Sequence, residues 1–407
     1  MSKTRSVFRN IGYGLILKPV SILISFVLVP ITVSFLGDFS YGLWATILSI
    51  VSWIGFFDIG IGNGLRNHLT KAISSNDYVN ARKLIATAYL VITVISFLVL
   101  AILILLIQMI DWRTLLKVQF YDISEIRYIL LVNFVFICLN FIFRLITTIY
   151  YSMQQASATG LMQILNQLLN FFGVLLLTFF SFDKTLLGIS VIYGVSALLT
   201  NIIFTIIFFL NNKKLIFKVT DFDTDKIRIL SSTGMQFFLI QLASMIIFTT
   251  DNLIITTLFG PEYVTQYSIT HKVFSIVIIV STIVFEPIWS ITTQAYVEND
   301  LKWIRKMIKR LSVFSLGLFV IGFVIMLNFD FIVNIWMGKT LANLSNHLLV
   351  TMMFVYMCLN IWNGAFSSIL AGLSKIRLGV FITIVTGAVN IPLSIYLASS
   401  VGFGVPG

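Results

Sequence analysis

Residues Val91–Ile110 read VITVISFLVLAILILLIQMI, and this stretch decides the fold class. It carries no charged residue over about 20 positions, the length of helix that crosses the ~30 Å hydrocarbon core of a bilayer. A transmembrane β-strand would instead alternate polar and apolar residues over a segment of about ten. The stretch therefore predicts a membrane-spanning α-helix and excludes a β-barrel.

The remainder of the chain has the same character. Hydrophobic residues make up 58% of the 407 residues and charged residues 11%, with a mean hydropathy of +0.99, whereas soluble domains carry about 25% charged residues. We therefore predict an all-α polytopic membrane protein with eleven transmembrane helices. The predicted spans are 11–36, 41–62, 84–110, 128–151, 158–181, 186–210, 230–259, 264–296, 311–337, 346–370 and 376–400.

The basic residues are distributed unevenly between the two sides of these spans. With a cytoplasmic N-terminus, nineteen Lys and Arg residues fall on the inner side. The outer side holds only Arg113, Lys117, Arg127, Lys184 and Lys339. This asymmetry follows the positive-inside rule, so topology accounts for the net charge of +11 and no nucleic-acid partner is expected.

The sequence repeats itself weakly at an offset of 223 residues. ITVSFLGDFSY at Ile31–Tyr41 aligns with IITTLFGPEYV at Ile254–Val264, and NDYVNARKLI at Asn76–Ile85 aligns with NDLKWIRKMI at Asn299–Ile308. Transporters are often built from duplicated helix bundles. Both copies start on the inner side, so the repeat predicts two parallel lobes of six helices each.

This repeat also predicts the domain boundaries. We expect an N-lobe at 1–210, a cytoplasmic linker at 211–229 and an incomplete C-lobe at 230–407. The chain stops at Gly407, where a twelfth helix would begin, so that helix is expected to be truncated. A natural chain that ends there stays open as an alternative.

Few residues point to catalytic or metal chemistry. The run Gly60–Gly64 follows a predicted membrane helix and lacks the spacing of a phosphate-binding loop, so we expect it to end the second span. Cys138 and Cys358 lie inside predicted spans, which favours packing over a disulfide or a metal site. No Walker sequence, metal cluster or nucleophile–base pair occurs, so we expect no enzyme, no cofactor and no metal.

Three segments resemble one transporter family. The stretch VPITVSFLGDFSYGLWA (29–45) is similar to its first helix and turn, and FFDIGIGNGLRN (56–67) to the end of its second helix. TDNLIITTLFGPEYVTQYSITHKVF (250–274) is similar to its helix 7 to helix 8 hairpin, with His271 and Gln266 as departures. The family is the polysaccharide-export (Wzx-type, O-antigen) flippases of the multidrug, oligosaccharidyl-lipid and polysaccharide exporter superfamily.

The resemblance implies a function and a location. Such a flippase has two six-helix lobes around a central cavity and moves undecaprenyl-diphosphate-linked oligosaccharide from the cytoplasmic to the outer leaflet of the bacterial inner membrane. The implied pathway is biosynthesis of O-antigen, lipopolysaccharide or another surface polysaccharide. The implied partners are the lipid-linked cargo, membrane lipids, and the polysaccharide polymerase and chain-length machinery.

Charged residues inside the spans are the candidate site residues, because each costs about 2.5–3.5 kcal/mol on insertion scales and normally faces a cavity or a partner. Lysine and arginine stabilise a diphosphate through charge-assisted hydrogen bonds. We therefore predict Lys18, Lys272 and Arg144 as substrate-binding cations. The anions Asp251, Asp58 and Glu286 are candidate ion-coupling residues or charge partners.

A structural role, with no part in binding or transport, stays open as an alternative for these residues. Asp251 and Lys272 lie at similar depth in their predicted helices and so suit a structural ion pair as well as a binding site. Asp58 and Arg144 lie near enough to the cytoplasmic ends of their helices to reach the membrane surface.

Competing functions also stay open. A multidrug or cation antiporter of the same superfamily would bind cations and is expected to have an acidic cavity, whereas the three buried cations and three buried anions here lean toward an anionic cargo. A peptidoglycan-precursor flippase usually has more helices. A membrane glycosyltransferase would need a larger outer loop than Asp111–Arg127.

Overall fold

Regular structure in the computed structural model of the chain is helical. The structure describes residues 20–21, 23–54, 61–118, 122–153, 155–180, 185–231, 250–297, 299–338, 346–373 and 376–406. These residues contain no β-strand, and the predicted all-α class is confirmed.

The helices are numbered α1 to α15 in chain order. They are α1 (Leu23–Leu36), α2 (Asp38–Ile54), α3 (Ile61–Ser74), α4 (Tyr78–Met109), α5 (Trp112–Leu115), α6 (Ile123–Ser152), α7 (Ala156–Phe179), α8 (Leu186–Asn211), α9 (224–231), α10 (Asp251–Leu258), α11 (Pro261–Val297), α12 (Leu301–Leu327), α13 (Phe329–Met337), α14 (His347–Gly372) and α15 (Ile376–Ile395). Short 3-10 turns at Lys213–Leu215 and Val219–Asp221 precede α9, and a π-helical turn at Tyr396–Ser400 follows α15.

Seven of the described helices are long and apolar enough to cross a membrane, namely α4, α6, α7, α8, α11, α12 and α14. Each corresponds to one predicted span. Of the other four predicted spans, three include residues outside the described ranges, and 376–400 corresponds to α15 with its π-helical turn. The total of eleven helices stays a prediction.

Helix α4 shows how the sequence builds a membrane helix. The side chain of Asp77 accepts a hydrogen bond from the backbone N–H of Asn80 at 3.0 Å, which caps the first turn. Farther along, Phe97 and Leu98 are 63% and 60% exposed, whereas Ile92 is 2% exposed. An apolar face of this kind is stable when lipid, rather than water, surrounds it.

Two predicted helix boundaries are wrong. The span 311–337 is interrupted at Asn328, whose side-chain amide donates to the carbonyl of Val324 at 2.9 Å. The backbone at Asn328, with φ of −106° and ψ of 20°, departs from helical values, so α12 and α13 are separate. The run Gly60–Gly64 does not end a helix either, because Ile61 begins α3 and Gly64 lies inside it.

The sequence repeat has a structural counterpart in two turns. Asn76 and Asn299 both adopt the left-handed conformation with φ of 57°. The N–H of Asp77 bonds to the carbonyl of Ala72 at 2.9 Å, and the N–H of Asp300 bonds to that of Ala295 at the same distance. Each aspartate then caps the helix that follows. The two copies therefore share the same turn geometry.

The chain divides into two compact units between Thr257 and Leu258. In the first unit, α6 packs against α4, α8 and α3, and in the second α11 packs against α14 and α12. The linker contacts the first unit, where Phe217 stacks on Tyr89 with ring centroids 5.2 Å apart. The lobe boundaries expected from the sequence stay a prediction.

A second contact of the linker is the ion pair between Lys83 Nζ and Asp223 Oδ2, at 3.1 Å. The hydrogen bond from Lys83 lowers the pKa of the Asp223 carboxyl below its ordinary value. The N–H of Asp223 also donates to Thr87 Oγ1 at 3.1 Å. These bonds hold the linker on the N-terminal part of α4.

Replacing Asp223 by Asn is expected to loosen the linker modestly. Solvent screens a part-exposed ion pair and keeps its contribution small, so hydrogen exchange of residues 212–223 should become about two- to fivefold faster at pH 7. Because the native pKa is depressed, the contribution is present above the unfolded-state pKa and is lost as the pH falls through the native value. Lys213→Ala is the control, and equal exchange in both variants would contradict the assignment.

Candidate functional site

Lys272 is the candidate cation that the structure describes most fully. It lies on α11, about 16 Å along the helix from Pro261 at about 1.5 Å per residue. Its side chain is half-buried. The hydroxyl of Ser275 donates to the carbonyl of Lys272 at 2.7 Å. The helix thus places an ammonium group within a segment long and apolar enough to cross a membrane.

An aromatic cluster lies beside this lysine. The ring of His271 stacks on Tyr267, with centroids 6.2 Å apart and planes at 16°. On its other side, His271 lies 6.1 Å from the ring of Tyr356 on α14. The sequence identified His271 only as a departure from the family pattern. The spacing of Tyr267 and His271 by four residues was the available signal for a shared helix face.

Lys272 and Glu286 share a face of α11 by register. They are separated by about four helical turns, or roughly 21 Å at about 1.5 Å per residue. Ser268, Ser275 and Thr282 fall on the same face at the same helical period. The side chain of Glu286 lies outside the described part of the structure. This register places a row of polar residues along α11.

Asp251 begins α10 and is half-buried. The next residue, Asn252, donates from its side chain to Ser49 Oγ on α2 at 2.8 Å. One turn later, the hydroxyls of Thr256 and Thr46 are 2.5 Å apart and buried. These bonds fix α10 against α2, and sequence reasoning missed them because it considered charged residues only. The alternative Asp251–Lys272 ion pair stays a prediction.

The other candidates are described less fully. Arg144 lies on α6 with an exposed side chain. Lys18 and Asp58 lie outside the described residues. Their predicted roles therefore stay predictions.

Buried amides join α6 to α8 in the first unit. Asn133 Nδ2 donates to Ser190 Oγ at 2.9 Å, and Asn201 Nδ2 donates to Asn140 Oδ1 at 3.0 Å. Hydrogen bonds between membrane helices of this kind contribute about 0.6 kcal/mol on average. These amides serve packing, since each finds a partner on the neighbouring helix.

Helix α7 carries a second set of amides, which we call the amide row: Gln163, Asn166, Gln167 and Asn170. Gln167 Oε1 accepts a hydrogen bond from Ser21 Oγ at 2.8 Å. The side-chain oxygens of Asn166 and Asn170 are buried and have no hydrogen-bond partner among the described residues. Sequence reasoning missed this row because none of its members is charged.

The metal-ligating side chains among the described residues are dispersed. They include no group of three or more His, Cys, Asp or Glu side chains arranged to hold a metal ion. Cys138 and Cys358 are both unpaired thiols, the first buried and the second half-buried.

Comparison with known proteins identifies similar families and folds. Residues 7–290 match the family described as "Polysaccharide biosynthesis protein". A protein of Salmonella typhimurium named as an O-antigen transporter is 23% identical over 355 residues, covering 85% of this chain and 79% of the relative. A Yersinia pseudotuberculosis protein named for O-antigen export is 22% identical over 369 residues. The alignment covers 88% of this chain and 81% of the Yersinia protein.

Solved structures agree on the fold. An inward-facing multidrug resistance transporter of the MATE family aligns with a TM-score of 0.75 and 15% identity, over 95% of this chain and 89% of its own. A transporter of the same superfamily from Pyrococcus furiosus aligns with a TM-score of 0.64 and 16% identity. The alignment covers 99% of this chain and 89% of the Pyrococcus protein. The predicted MATE-like fold class is confirmed.

Proposed function

Because the chain belongs to the polysaccharide biosynthesis protein family, we propose that it moves undecaprenyl-diphosphate-linked oligosaccharide from the cytoplasmic to the periplasmic leaflet. The observation that carries this proposal is the likeness to O-antigen transporters over most of the chain. The chain is a multi-pass membrane transporter and not an enzyme. We place it in the bacterial inner membrane, with polysaccharide polymerase and chain-length proteins as partners.

The chemical problem in this transport is the diphosphate. The polyprenyl tail stays in hydrocarbon, but the charged group must leave water to change leaflets. A half-buried lysine such as Lys272 offers three donors and a positive charge to such a group. We assign Lys272 to the diphosphate, with Lys18 and Arg144 as further cations along its route. Asp251, Asp58 and Glu286 are proposed as charge partners or ion-coupling groups.

Complementation tests this function. A strain that lacks its own lipid-linked oligosaccharide flippase should regain surface polysaccharide when it expresses this chain, and the lipid-linked unit should stop accumulating inside. A stably inserted protein that restores neither, in a strain that instead exports cationic drugs, would favour the multidrug or cation antiporter.

Orientation is a separate prediction of this proposal. In a variant with Cys138 and Cys358 replaced by Ala, a single Ser124→Cys at the start of α6 should react with a membrane-impermeant maleimide in intact spheroplasts. A single Ser75→Cys, in the turn before α4, should react only after permeabilisation. Both positions are exposed, so accessibility reports the side of the membrane. The reverse pattern would contradict a cytoplasmic N-terminus.

A further inference from the structure

The amide row on α7 has the geometry of a ligand-binding face. Its four members recur at helical spacing, so Gln163, Asn166 and Asn170 follow one another along the same side of the helix, with Gln167 adjacent. The row spans about 10 Å along the axis at about 1.5 Å per residue. This length is comparable to two sugar rings.

Exposure changes in order along the row. Gln163 is exposed, Asn166 and Gln167 are half-buried, and Asn170 is 5% exposed. In the predicted topology α7 starts on the cytoplasmic side, so the row leads from that side towards the interior of the first unit. A ligand entering from the cytoplasmic leaflet would meet Gln163 first.

The inner end of the row is short of hydrogen-bond donors. Asn166 Oδ1 and Asn170 Oδ1 are buried without a partner among the described residues, and so is Thr200 Oγ1 on α8, the helix that packs along α7. A buried polar atom left unpaired costs about 1–3 kcal/mol. Asn133 and Asn140 in the same unit each form a hydrogen bond with a side chain of α8. Packing between α6 and α8 therefore accounts for Asn133 and Asn140. It does not account for the buried oxygens of Asn166 and Asn170, which have no partner among the described residues.

The missing partner must donate hydrogen bonds. A phosphate diester or diphosphate offers acceptors almost exclusively and suits a lysine, whereas a sugar offers a hydroxyl donor and acceptor at nearly every carbon, which an amide matches in both senses. The bond from Ser21 holds Gln167 in position, which limits the entropy that binding costs.

From this arrangement we infer that the amide row binds the sugar portion of the cargo and contributes to the choice of oligosaccharide. The inference rests on the proposed function.

Binding measurements on the purified full-length protein in detergent test this inference. The two probes are lipid-linked oligosaccharide purified from the native host and undecaprenyl diphosphate without sugar. We expect the wild type to bind the sugar-bearing lipid more tightly, and Asn166→Leu and Asn170→Leu each to reduce that preference about tenfold. Because each change removes an unpaired buried oxygen, thermal stability should be unchanged or raised.

Two further variants separate recognition from folding. Gln163→Leu alters an exposed member of the row and should also reduce the sugar preference. Asn140→Leu removes the acceptor of Asn201 and should lower thermal stability while it leaves the sugar preference as in the wild type.

The outcomes are distinguishable. A wild-type protein that binds neither lipid would contradict both the proposed function and the inference. Equal binding of both lipids by the wild type would leave the function standing and overturn the inference. A sugar preference that is unchanged in all three row variants would also overturn the inference. The amide row would then be a hydrated polar surface between helices and not a binding site.

Discussion

Replacing Lys272 by Ala should lower transport of the lipid-linked oligosaccharide about 10- to 100-fold while the protein still inserts. A hydrogen bond to a charged group contributes about 1.5–3 kcal/mol, and about 1.4 kcal/mol corresponds to a factor of ten. Lys272 is half-buried in α11, within a segment long and apolar enough to cross a membrane. Lys272→Arg keeps the charge and should retain most of the activity.

The measurement is the rate at which surface polysaccharide reappears in a flippase-null strain, together with the amount of accumulated lipid-linked unit. Lys309→Ala is the matched control, because Lys309 is an exposed lysine on α12 of the same compact unit. Undiminished export by Lys272→Ala at equal protein level would remove this lysine from the site. Equal loss in the Ala and Arg variants would instead indicate a requirement for lysine packing.

The second large effect concerns stability. Replacing Gly64 by Ala should destabilise the first unit by about 1–3 kcal/mol, as overpacking does. A Cβ at Gly64 would overlap the carbonyl oxygen of Leu230 in α9 and lie 3.2 Å from its carbonyl carbon and Cα. Backbone atoms cannot move aside as the end of a side chain can, so α3 and α9 would have to separate.

Thermal denaturation in detergent measures this effect, and Gly317→Ala is its control. A Cβ at Gly317, within α12, would meet no atom within 4 Å. That change should be neutral or stabilise the helix by about 0.5–1 kcal/mol, since Ala has the higher helix propensity. Equal denaturation temperatures for Gly64→Ala and the wild type would mean that α3 and α9 do not approach so closely.

Local patterns in the sequence were sufficient for the fold class and for most described membrane helices. An uncharged apolar run of about 20 residues has few stable alternatives to a helix in a bilayer, and the predicted spans matching α4, α6, α7 and α8 show this. Helix ends were harder to predict. Asn328 interrupts a predicted span because its backbone dihedral angles depart from helical values, and a hydropathy pattern carries no signal for that departure.

Some residues of the candidate site could likewise be predicted from the sequence, and others could not. A charged residue such as Lys272 is conspicuous in an apolar run because its insertion into the membrane costs free energy. The sequence alone therefore predicts that Lys272 binds a ligand or pairs with another charge. The amide row does not stand out, since Asn and Gln are uncharged and recur elsewhere in the chain as packing residues. Whether an amide such as Asn170 is paired depends on its neighbours on other helices.

The sequence by itself determined that the chain is a helical membrane protein, that two of its segments repeat at an offset of 223 residues, and which charges lie within its predicted spans. Each of these properties follows from residues close together in the chain or from direct comparison of segments. Only the tertiary structure decided that the backbone of Leu230 lies against Gly64 and that Asp223 pairs with Lys83. It also decided that the side-chain oxygens of Asn166 and Asn170 have no partner among the described residues. Those are contacts between distant segments, and packing in three dimensions decides which polar atoms are paired.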